Sequence, residues 1–162
     1  MDVGSRYTIG ISDMRISTAP DDVLVTYSLG SCVGVTLYDA EACVGAMIHC
    51  MLPLSKNAPE RARDEPLMFV DTGLAEMLRS MYEAGAQSHR IIAKIAGGAQ
   101  LMNDNNTFRI GERNLVVARK VLWRNNIVLK GEDVGEAIAR TMYLHMRNGT
   151  TVIKTIQGNK TI

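Results

Sequence analysis

Residues 23–39 read Val-Leu-Val-Thr-Tyr-Ser-Leu-Gly-Ser-Cys-Val-Gly-Val-Thr-Leu-Tyr-Asp and contain two β-rich runs separated by a turn. The first run precedes the turn Leu29-Gly30-Ser31, and the second extends from Cys32 to Tyr38. A third apolar run follows from Cys43 to Met51. Short β-rich runs separated by turn residues are typical of neighbouring strands. We therefore predict three adjacent antiparallel strands in this part of the chain.

Hydrophobic periodicity predicts the elements on either side. Apolar residues at three- and four-residue spacing predict one helix that begins near Leu67 and ends at Gly85, and a second over Ile110–Arg124. A further strand is predicted at Tyr7–Ile11, with a possible continuation over Met14–Ser17. Four more strands are predicted at Arg90–Ile95, Ile127–Leu129, Met142–Met146 and Thr151–Ile156. A type I′ turn at Asn148-Gly149 is predicted to join the last two. The polar segment Leu54–Pro66 is predicted to be a loop. These elements indicate a single mixed α/β domain spanning residues 1–162.

The composition narrows the class of protein. The 162 residues include 18 basic and 17 acidic side chains, and a net charge of +1 does not suggest a nucleic-acid-binding surface. No apolar run reaches the ~18 residues that span a bilayer, and the first residues lack the pattern of a secretory signal. Three cysteines, an odd number, disfavour a closed disulfide framework. We expect a cytoplasmic protein that is not inserted in a membrane.

Cys32 is the candidate nucleophile. A thiol reacts as its thiolate, and a neighbouring histidine is a common means of generating one. His49 lies in the next apolar run, and the hydroxyl of Thr26 could accept the imidazole N–H and orient the ring. Peptide N–H groups of the turn at Gly30 and Ser31 could stabilise an oxyanion formed when the thiolate attacks a carboxamide. The sequence therefore predicts nucleophilic chemistry at Cys32.

Other interpretations of these residues compete with this one. A cysteine or histidine in an apolar strand is often an ordinary core residue, and Cys43 and Cys50 are interpreted in this way. A zinc site is disfavoured because His49 and Cys50 would point to opposite faces of one strand. Gly97-Gly98 follows a strand without a nucleotide-binding motif, and is interpreted as a tight strand exit or as a place where a substrate backbone approaches closely. Gly97 and Gly98 therefore join Gly30 and Ser31 as candidate oxyanion- or substrate-binding residues.

Several motifs in order along nearly the whole chain resemble the chemoreceptor glutamine deamidase family CheD. They are Leu29-Gly30-Ser31-Cys32-Val33 with Leu37-Tyr38-Asp39, His49-Cys50-Met51-Leu52-Pro53, Lys94-Ile95-Ala96-Gly97-Gly98-Ala99, Ile110-Gly111-Glu112-Arg113-Asn114, and Asp133-Val134-Gly135 with Arg140. Where that family has further glycines, this chain has Glu136 and Ala139. A non-glycine residue would be strained there if the position requires a positive φ.

The resemblance implies a mixed β-sheet sandwich with flanking helices, similar to deamidating bacterial toxins. It implies that Cys32, His49 and Thr26 are the catalytic residues of a protein-glutamine deamidase. The implied reaction converts glutamines of methyl-accepting chemoreceptors to glutamate through a thioester, with no metal or organic cofactor. A CheC-like phosphatase is an implied partner. Two alternatives remain, which are a non-enzymatic regulator of such a phosphatase and a Cys–His peptidase or transglutaminase.

Overall fold

The computed structural model describes residues 4–101 and 109–162, and these contain ten strands and three α-helices. The strands are β1 (Arg6–Thr8), β2 (Asp13–Ser17), β3 (Val23–Leu29), β4 (Val33–Asp39), β5 (Val44–Cys50), β6 (Ile92–Gly97), β7 (Val128–Val134), β8 (Arg140–His145), β9 (Thr150–Thr155) and β10 (Gly158–Thr161). The helices are α1 (Pro59–Asp64), α2 (Val70–Glu83) and α3 (Ile110–Arg124), and short 3₁₀ turns lie at Ser55–Asn57 and Pro66–Met68.

The strands form two five-stranded sheets that pack as a sandwich. Sheet A has the order β1-β3-β8-β9-β10, and sheet B has the order β2-β5-β4-β6-β7. The helices α2 and α3 cover the outer face of sheet B, so two cores result. The inter-sheet core includes Leu24, Leu29, Met47, Met142 and Ile153. The helix-side core includes Val35, Ile48, Leu74, Met77, Leu115 and Leu122. The predicted sandwich with flanking helices is confirmed.

The central strand β5 shows how the sequence selects these two faces. Side chains alternate between the faces of a strand, so Met47 and His49 point toward sheet A while Ile48 and Cys50 point toward the helices. All seven residues of β5 are buried because both faces are covered. This burial accounts for the continuous apolar run, and it confirms that His49 and Cys50 lie on opposite faces.

The prediction of three adjacent antiparallel strands is half right. Strands β4 and β5 pair antiparallel with Gly34 opposite His49, but β3 lies in the other sheet and pairs with β1 and β8. A register shift between Thr26 and Leu29 disturbs the end of β3, and Ser28 there has a φ of 59°. The following turn then carries the chain from sheet A to sheet B. Cys32 consequently lies at the crossing between the sheets.

Two other local predictions need correction, and one strand was missed. The segment Leu54–Pro66 is largely helical, because Pro59 begins the short helix α1. The hairpin between β8 and β9 is present, but its loop has four residues, since His145 pairs with Thr150. Asn148 does not have the positive φ of a type I′ turn, whereas Gly149 has a φ of 75°. Strand β10 was not predicted, because its residues are all exposed and give no hydrophobic pattern.

Candidate active site

His49 is held by a chain of hydrogen bonds that crosses from one sheet to the other. The side chain of His49 on β5 is almost completely buried, and its Nδ1 lies 2.7 Å from Oγ1 of Thr26 on β3. The Thr26 hydroxyl also contacts the carbonyl oxygen of Ile9 at 2.7 Å. A carbonyl can only accept, so the single hydroxyl hydrogen of Thr26 is donated to Ile9. Thr26 must therefore accept from His49, which places the imidazole proton on Nδ1.

This tautomer leaves the other ring nitrogen of His49 as a base. Nε2 is buried and has no hydrogen-bond partner within residues 4–101 and 109–162. Burial lowers the pKa of His49 from 6.5 to about 4, so the ring is neutral near pH 7. A neutral ring with its proton on Nδ1 carries an available lone pair on Nε2. The site therefore contains a preformed proton acceptor.

Cys32 lies on the same side of sheet B as His49. It immediately precedes β4, and its partly buried side chain packs against the inter-sheet core. The register pairs Gly34 with His49, so Cys32, two residues earlier, is the diagonal neighbour of His49. Diagonal positions of an antiparallel pair are about 7–8 Å apart, which is within reach of long side chains. The topology thus brings the candidate nucleophile and the candidate base to one face.

The Cys32 thiol is protonated in the resting site. Burial raises the pKa of Cys32, and its own backbone N–H opposes this effect by stabilising the thiolate. The pKa of Cys32 is raised while that of His49 is lowered, so a neutral thiol and a neutral imidazole share this face of sheet B. Attack by a protonated thiol on a substrate would then be accompanied by transfer of the thiol proton to Nε2.

The turn that carries Cys32 is fixed by hydrogen bonds to its carbonyl groups. The Gly30 carbonyl accepts from the Ala99 N–H at 2.8 Å, and the Cys32 carbonyl accepts from the Gly98 N–H at 2.8 Å. The Ser31 carbonyl accepts from the side chain of Asn114 at 2.9 Å. In a trans peptide the N–H points away from the C=O of the same unit. The Ser31 and Cys32 N–H groups are consequently directed away from these partners.

Gly97 and Gly98 support this turn through their backbone. Gly97 has a φ of 102°, and a Cβ atom there would lie 2.3 Å from the Cys32 carbonyl oxygen. Gly98 also has a positive φ, and its N–H already donates to Cys32. This close approach is what the two glycines provide in the structure, and an oxyanion-binding role for them stays a prediction.

Asn114 contacts the candidate site, although its sequence position alone did not indicate this. In the sequence, Asn114 is the last residue of the motif Ile110–Asn114, which contributed to the family resemblance. The structure places this buried amide against the Cys32 turn. A polar side chain on the buried face of a helix requires hydrogen-bond partners in the core. This polar residue among the apolar ones of the helix is therefore the sequence feature that could have indicated the contact.

Neither of the remaining cysteines shares the inter-sheet face that holds Cys32 and His49. Cys50 is buried on the helix side of sheet B, and burial strongly raises its pKa. Cys43 is exposed in the turn between β4 and β5, so its interpretation as a core residue is wrong. In the described part of the chain, no three His, Cys, Asp or Glu side chains converge as metal ligands. None of the described helices has the length and apolar character needed to cross a bilayer.

The two departures from the family pattern differ in conformation. Glu136 has a φ of 57°, so the expected strain falls on this residue, whereas Ala139 does not have a positive φ. The Glu136 carbonyl accepts from the Gln100 N–H, and the Gly135 N–H donates to the Gly97 carbonyl. The loop with the unusual glutamate therefore supports the glycine segment behind Cys32.

Sequence comparisons relate most of the chain to known proteins. A family model described as CheD chemotactic sensory transduction matches residues 51–155. A protein of Syntrophus aciditrophicus (strain SB) named "Probable chemoreceptor glutamine deamidase CheD 1" is 43% identical over 150 residues, covering 93% of this chain and 94% of its own length. A relative from Solibacter usitatus (strain Ellin6076), named "Probable chemoreceptor glutamine deamidase CheD", is 44% identical over 141 residues, covering 87% of this chain and 83% of its own.

A solved structure illustrates that the fold is shared at low sequence identity. The Bacillus licheniformis hypothetical protein YfiH superimposes with a TM-score of 0.51 at 14% identity, covering 76% of this chain and 51% of that one. This similarity concerns the arrangement of strands and helices alone.

The family-model match begins at residue 51, after Thr26, Cys32 and His49. The matches to the two relatives, in contrast, extend over most of the chain.

Proposed function

Because the chain belongs to the CheD family, we propose that it is a protein-glutamine deamidase that converts glutamine side chains of methyl-accepting chemoreceptors to glutamate. One observation carries the chemical part of the proposal. The hydrogen-bond chain from His49 through Thr26 to Ile9 leaves Nε2 of His49 as a buried base. That base faces the same side of the sheet as the Cys32 thiol.

In the first half of the reaction, Sγ of Cys32 attacks the carboxamide carbon of a substrate glutamine. Nε2 of His49 takes the thiol proton, and the carbonyl oxygen becomes an oxyanion. The imidazolium then gives this proton to the departing nitrogen. The C–N bond breaks, ammonia leaves and a thioester to Cys32 remains.

In the second half, water hydrolyses the thioester. Neutral His49 accepts one proton of the water while the oxygen adds to the acyl carbon. The C–S bond breaks, the imidazolium returns its proton to Cys32, and the glutamate side chain is released. No electrons are exchanged with a cofactor at any stage, so protein side chains and water suffice for this chemistry.

The N–H groups of Ser31 and Cys32 are the best-supported oxyanion donors. Their peptide units are anchored through the carbonyls of Gly30 and Ser31, which directs the N–H groups the opposite way. The Cys32 N–H already stabilises charge on its own sulfur. Donors fixed before the reaction stabilise a developing oxyanion without reorganisation.

Residues 1–162 act as a single deamidase domain in the cytoplasm, where the glutamine-bearing receptor segments are the substrate. A CheC-like phosphatase is a second partner in this scheme. Conversion of an amide to a carboxylate adds a negative charge to the receptor, and the carboxylate is a site for later methylation.

A direct assay tests the reaction and the nucleophile together. The protein is incubated with a glutamine-containing chemoreceptor fragment, and amide-to-acid conversion is located by mass spectrometry. We expect site-specific conversion that is abolished in Cys32→Ala and preserved in Cys43→Ala, which removes an exposed thiol from the same β4–β5 hairpin. Conversion that persists in Cys32→Ala would exclude Cys32 as the nucleophile.

The same variants distinguish the competing functions. A regulator that acts only by binding a phosphatase would deamidate nothing and would keep its partner affinity and its cellular effect in Cys32→Ala. A transglutaminase would join an added primary amine to the substrate, because the amine would then compete with water for the thioester. The proposed hydrolase releases glutamate and ammonia even with amine present.

A further inference from the structure

Asn114 joins the two segments that carry the candidate nucleophile and base. It lies on α3 and is completely buried. Its Nδ2 donates to the Ser31 carbonyl at 2.9 Å and to the Met51 carbonyl at 3.1 Å. Ser31 immediately precedes Cys32, and Met51 follows His49 by two residues. Both hydrogens of one amide are therefore used to tie the Cys32 turn to the end of β5.

The start of α3 is shaped to bring this amide into place. A Cβ atom on Gly111 would lie 2.4 Å from the Ala99 carbonyl oxygen and 2.6 Å from that of Gly98. Glycine thus allows the helix backbone to press against the segment that bonds the Cys32 turn. Asn114 follows Gly111 by three residues and so lies on the same helix face. The close contact places the Asn114 side chain under the turn.

Asn114 carries an energetic cost that a purely apolar core would avoid. Asparagine is a weaker helix former than leucine or alanine, and a buried amide needs its hydrogen bonds satisfied. Oδ1 of Asn114 is buried without a hydrogen-bond partner in the described part of the chain. The side chain therefore meets its donor requirement and leaves its acceptor unmet. A leucine would fill a helix-side core position without this cost.

We propose that Asn114 is a positioning residue of the active site, which orients the Ser31–Cys32 peptide and sets the spacing between the Cys32 turn and the His49 strand. The Ser31 C=O and the Cys32 N–H belong to one planar unit, so holding the oxygen fixes the direction of the N–H. That N–H stabilises negative charge on Sγ of Cys32. The inference rests on the proposed function for its catalytic meaning, but its effect on the thiol can be measured separately.

The primary test is the rate at which iodoacetamide alkylates Cys32, measured by mass spectrometry against alkylation of exposed Cys43 in the same molecules. In Asn114→Ala and Asn114→Asp we expect the Cys32/Cys43 rate ratio at pH 8 to fall about tenfold, as for a rise of one unit in the thiol pKa. Asn125→Ala is the matched control, because Asn125 follows the end of the same helix and its side chain donates to the Val121 carbonyl. An unchanged or raised ratio in the folded Asn114 variants would overturn the proposal.

The unmutated Asn114 side chain provides a second test that does not depend on the folding of an Asn114 variant. In an NMR titration, the side-chain NH₂ signals of Asn114 should shift with the same midpoint as Cys32 alkylation, and Cys32→Ala should remove that shift. The NH₂ signals of Asn125 serve as the reference. Constant Asn114 signals across the thiol titration would contradict the proposal.

The alkylation assay also separates this inference from the proposed function. A lowered ratio without deamidation of any receptor fragment would support the positioning role and reject the deamidase. Normal deamidation by a folded Asn114→Ala protein, with unchanged kcat, would reject the positioning role and leave the deamidase intact. For the proposal to hold, kcat must fall while KM stays nearly constant.

Discussion

The Thr26 hydroxyl accepts a hydrogen bond from Nδ1 of His49 at 2.7 Å, across the space between the two sheets. Thr26 belongs to sheet A and His49 to sheet B. The orientation of the imidazole is consequently set by the packing of one sheet on the other. Cys32 lies where the chain passes between the sheets, so all three residues depend on the assembled sandwich.

Replacing Thr26 tests the orientation of His49. Thr26→Val keeps the shape of the side chain and removes the hydroxyl, so Nδ1 loses its acceptor and the ring its fixed tautomer. We expect kcat for deamidation to fall about 10²-fold, the order of effect of misplacing a catalytic group, with little change in KM. Thr26→Ser is the control, since it retains the hydroxyl and should keep most of the activity. Equal kcat values for the two variants would refute this role of Thr26.

Burial of neutral His49 predicts a pH dependence of stability. The pKa of His49 is lowered to about 4 in the folded state, against about 6.5 when unfolded. The unfolded chain therefore binds the proton first, and stability present above pH 6.5 is lost as the pH falls toward 4. The expected loss attributable to His49 is about 3 kcal/mol, because each pKa unit corresponds to about 1.4 kcal/mol.

Denaturant unfolding at several pH values would measure this contribution. Between pH 7 and pH 4, the free energy of unfolding of His49→Gln should fall by about 3 kcal/mol less than that of the unmutated chain. His89→Gln, which removes an imidazole outside the buried core, is the matched control. Parallel curves for the unmutated chain and His49→Gln would show that His49 does not titrate as a buried neutral base.

Local patterns in the sequence were sufficient for most elements near the site. The apolar spacing of α3 gave its bounds, Ile110–Arg124, as the structure has them. The alternation along β5 separated His49 from Cys50 correctly. Side-chain periodicity is a property of the strand or helix itself, so it can be seen without knowledge of the partner.

What the sequence could not provide were relationships between distant segments. The runs that became β3 and β4 look like neighbours, yet the left-handed Ser28 and the register shift after Thr26 send them into different sheets. The contacts of Asn114 were hidden for the same reason, since its partners Ser31 and Met51 are far away in sequence. Contacts of this kind depend on tertiary packing, which single-sequence periodicity does not encode.

Gly97 should be intolerant of any side chain. In Gly97→Ala the new Cβ would meet the Cys32 carbonyl oxygen at 2.3 Å, at a φ of 102°. Gly85→Ala is the matched control, because Gly85 has a φ of 101° and an added Cβ there would meet nothing within 4 Å. The backbone penalty, about 1–2 kcal/mol, is therefore common to both variants. We expect Gly97→Ala to lose more unfolding free energy and also to lower kcat, while Gly85→Ala keeps kcat. Similar losses in both would exclude the contact with Cys32 as the cause.

Glu136 should be replaceable by glycine with a gain in stability. Its φ of 57° is left-handed, which costs a residue with a Cβ roughly 1–2 kcal/mol. Glycine has greater freedom in the unfolded chain, and this offsets about 0.4–1 kcal/mol of the stabilisation gained by removing the strain. We therefore expect Glu136→Gly to raise the free energy of unfolding by about 0.5–1 kcal/mol, measured by urea denaturation. Asn126→Gly, at a φ of 58°, is the comparison and should gain less, because asparagine tolerates this conformation. A loss of stability in Glu136→Gly would mean that the glutamate side chain contributes more than its backbone strain costs.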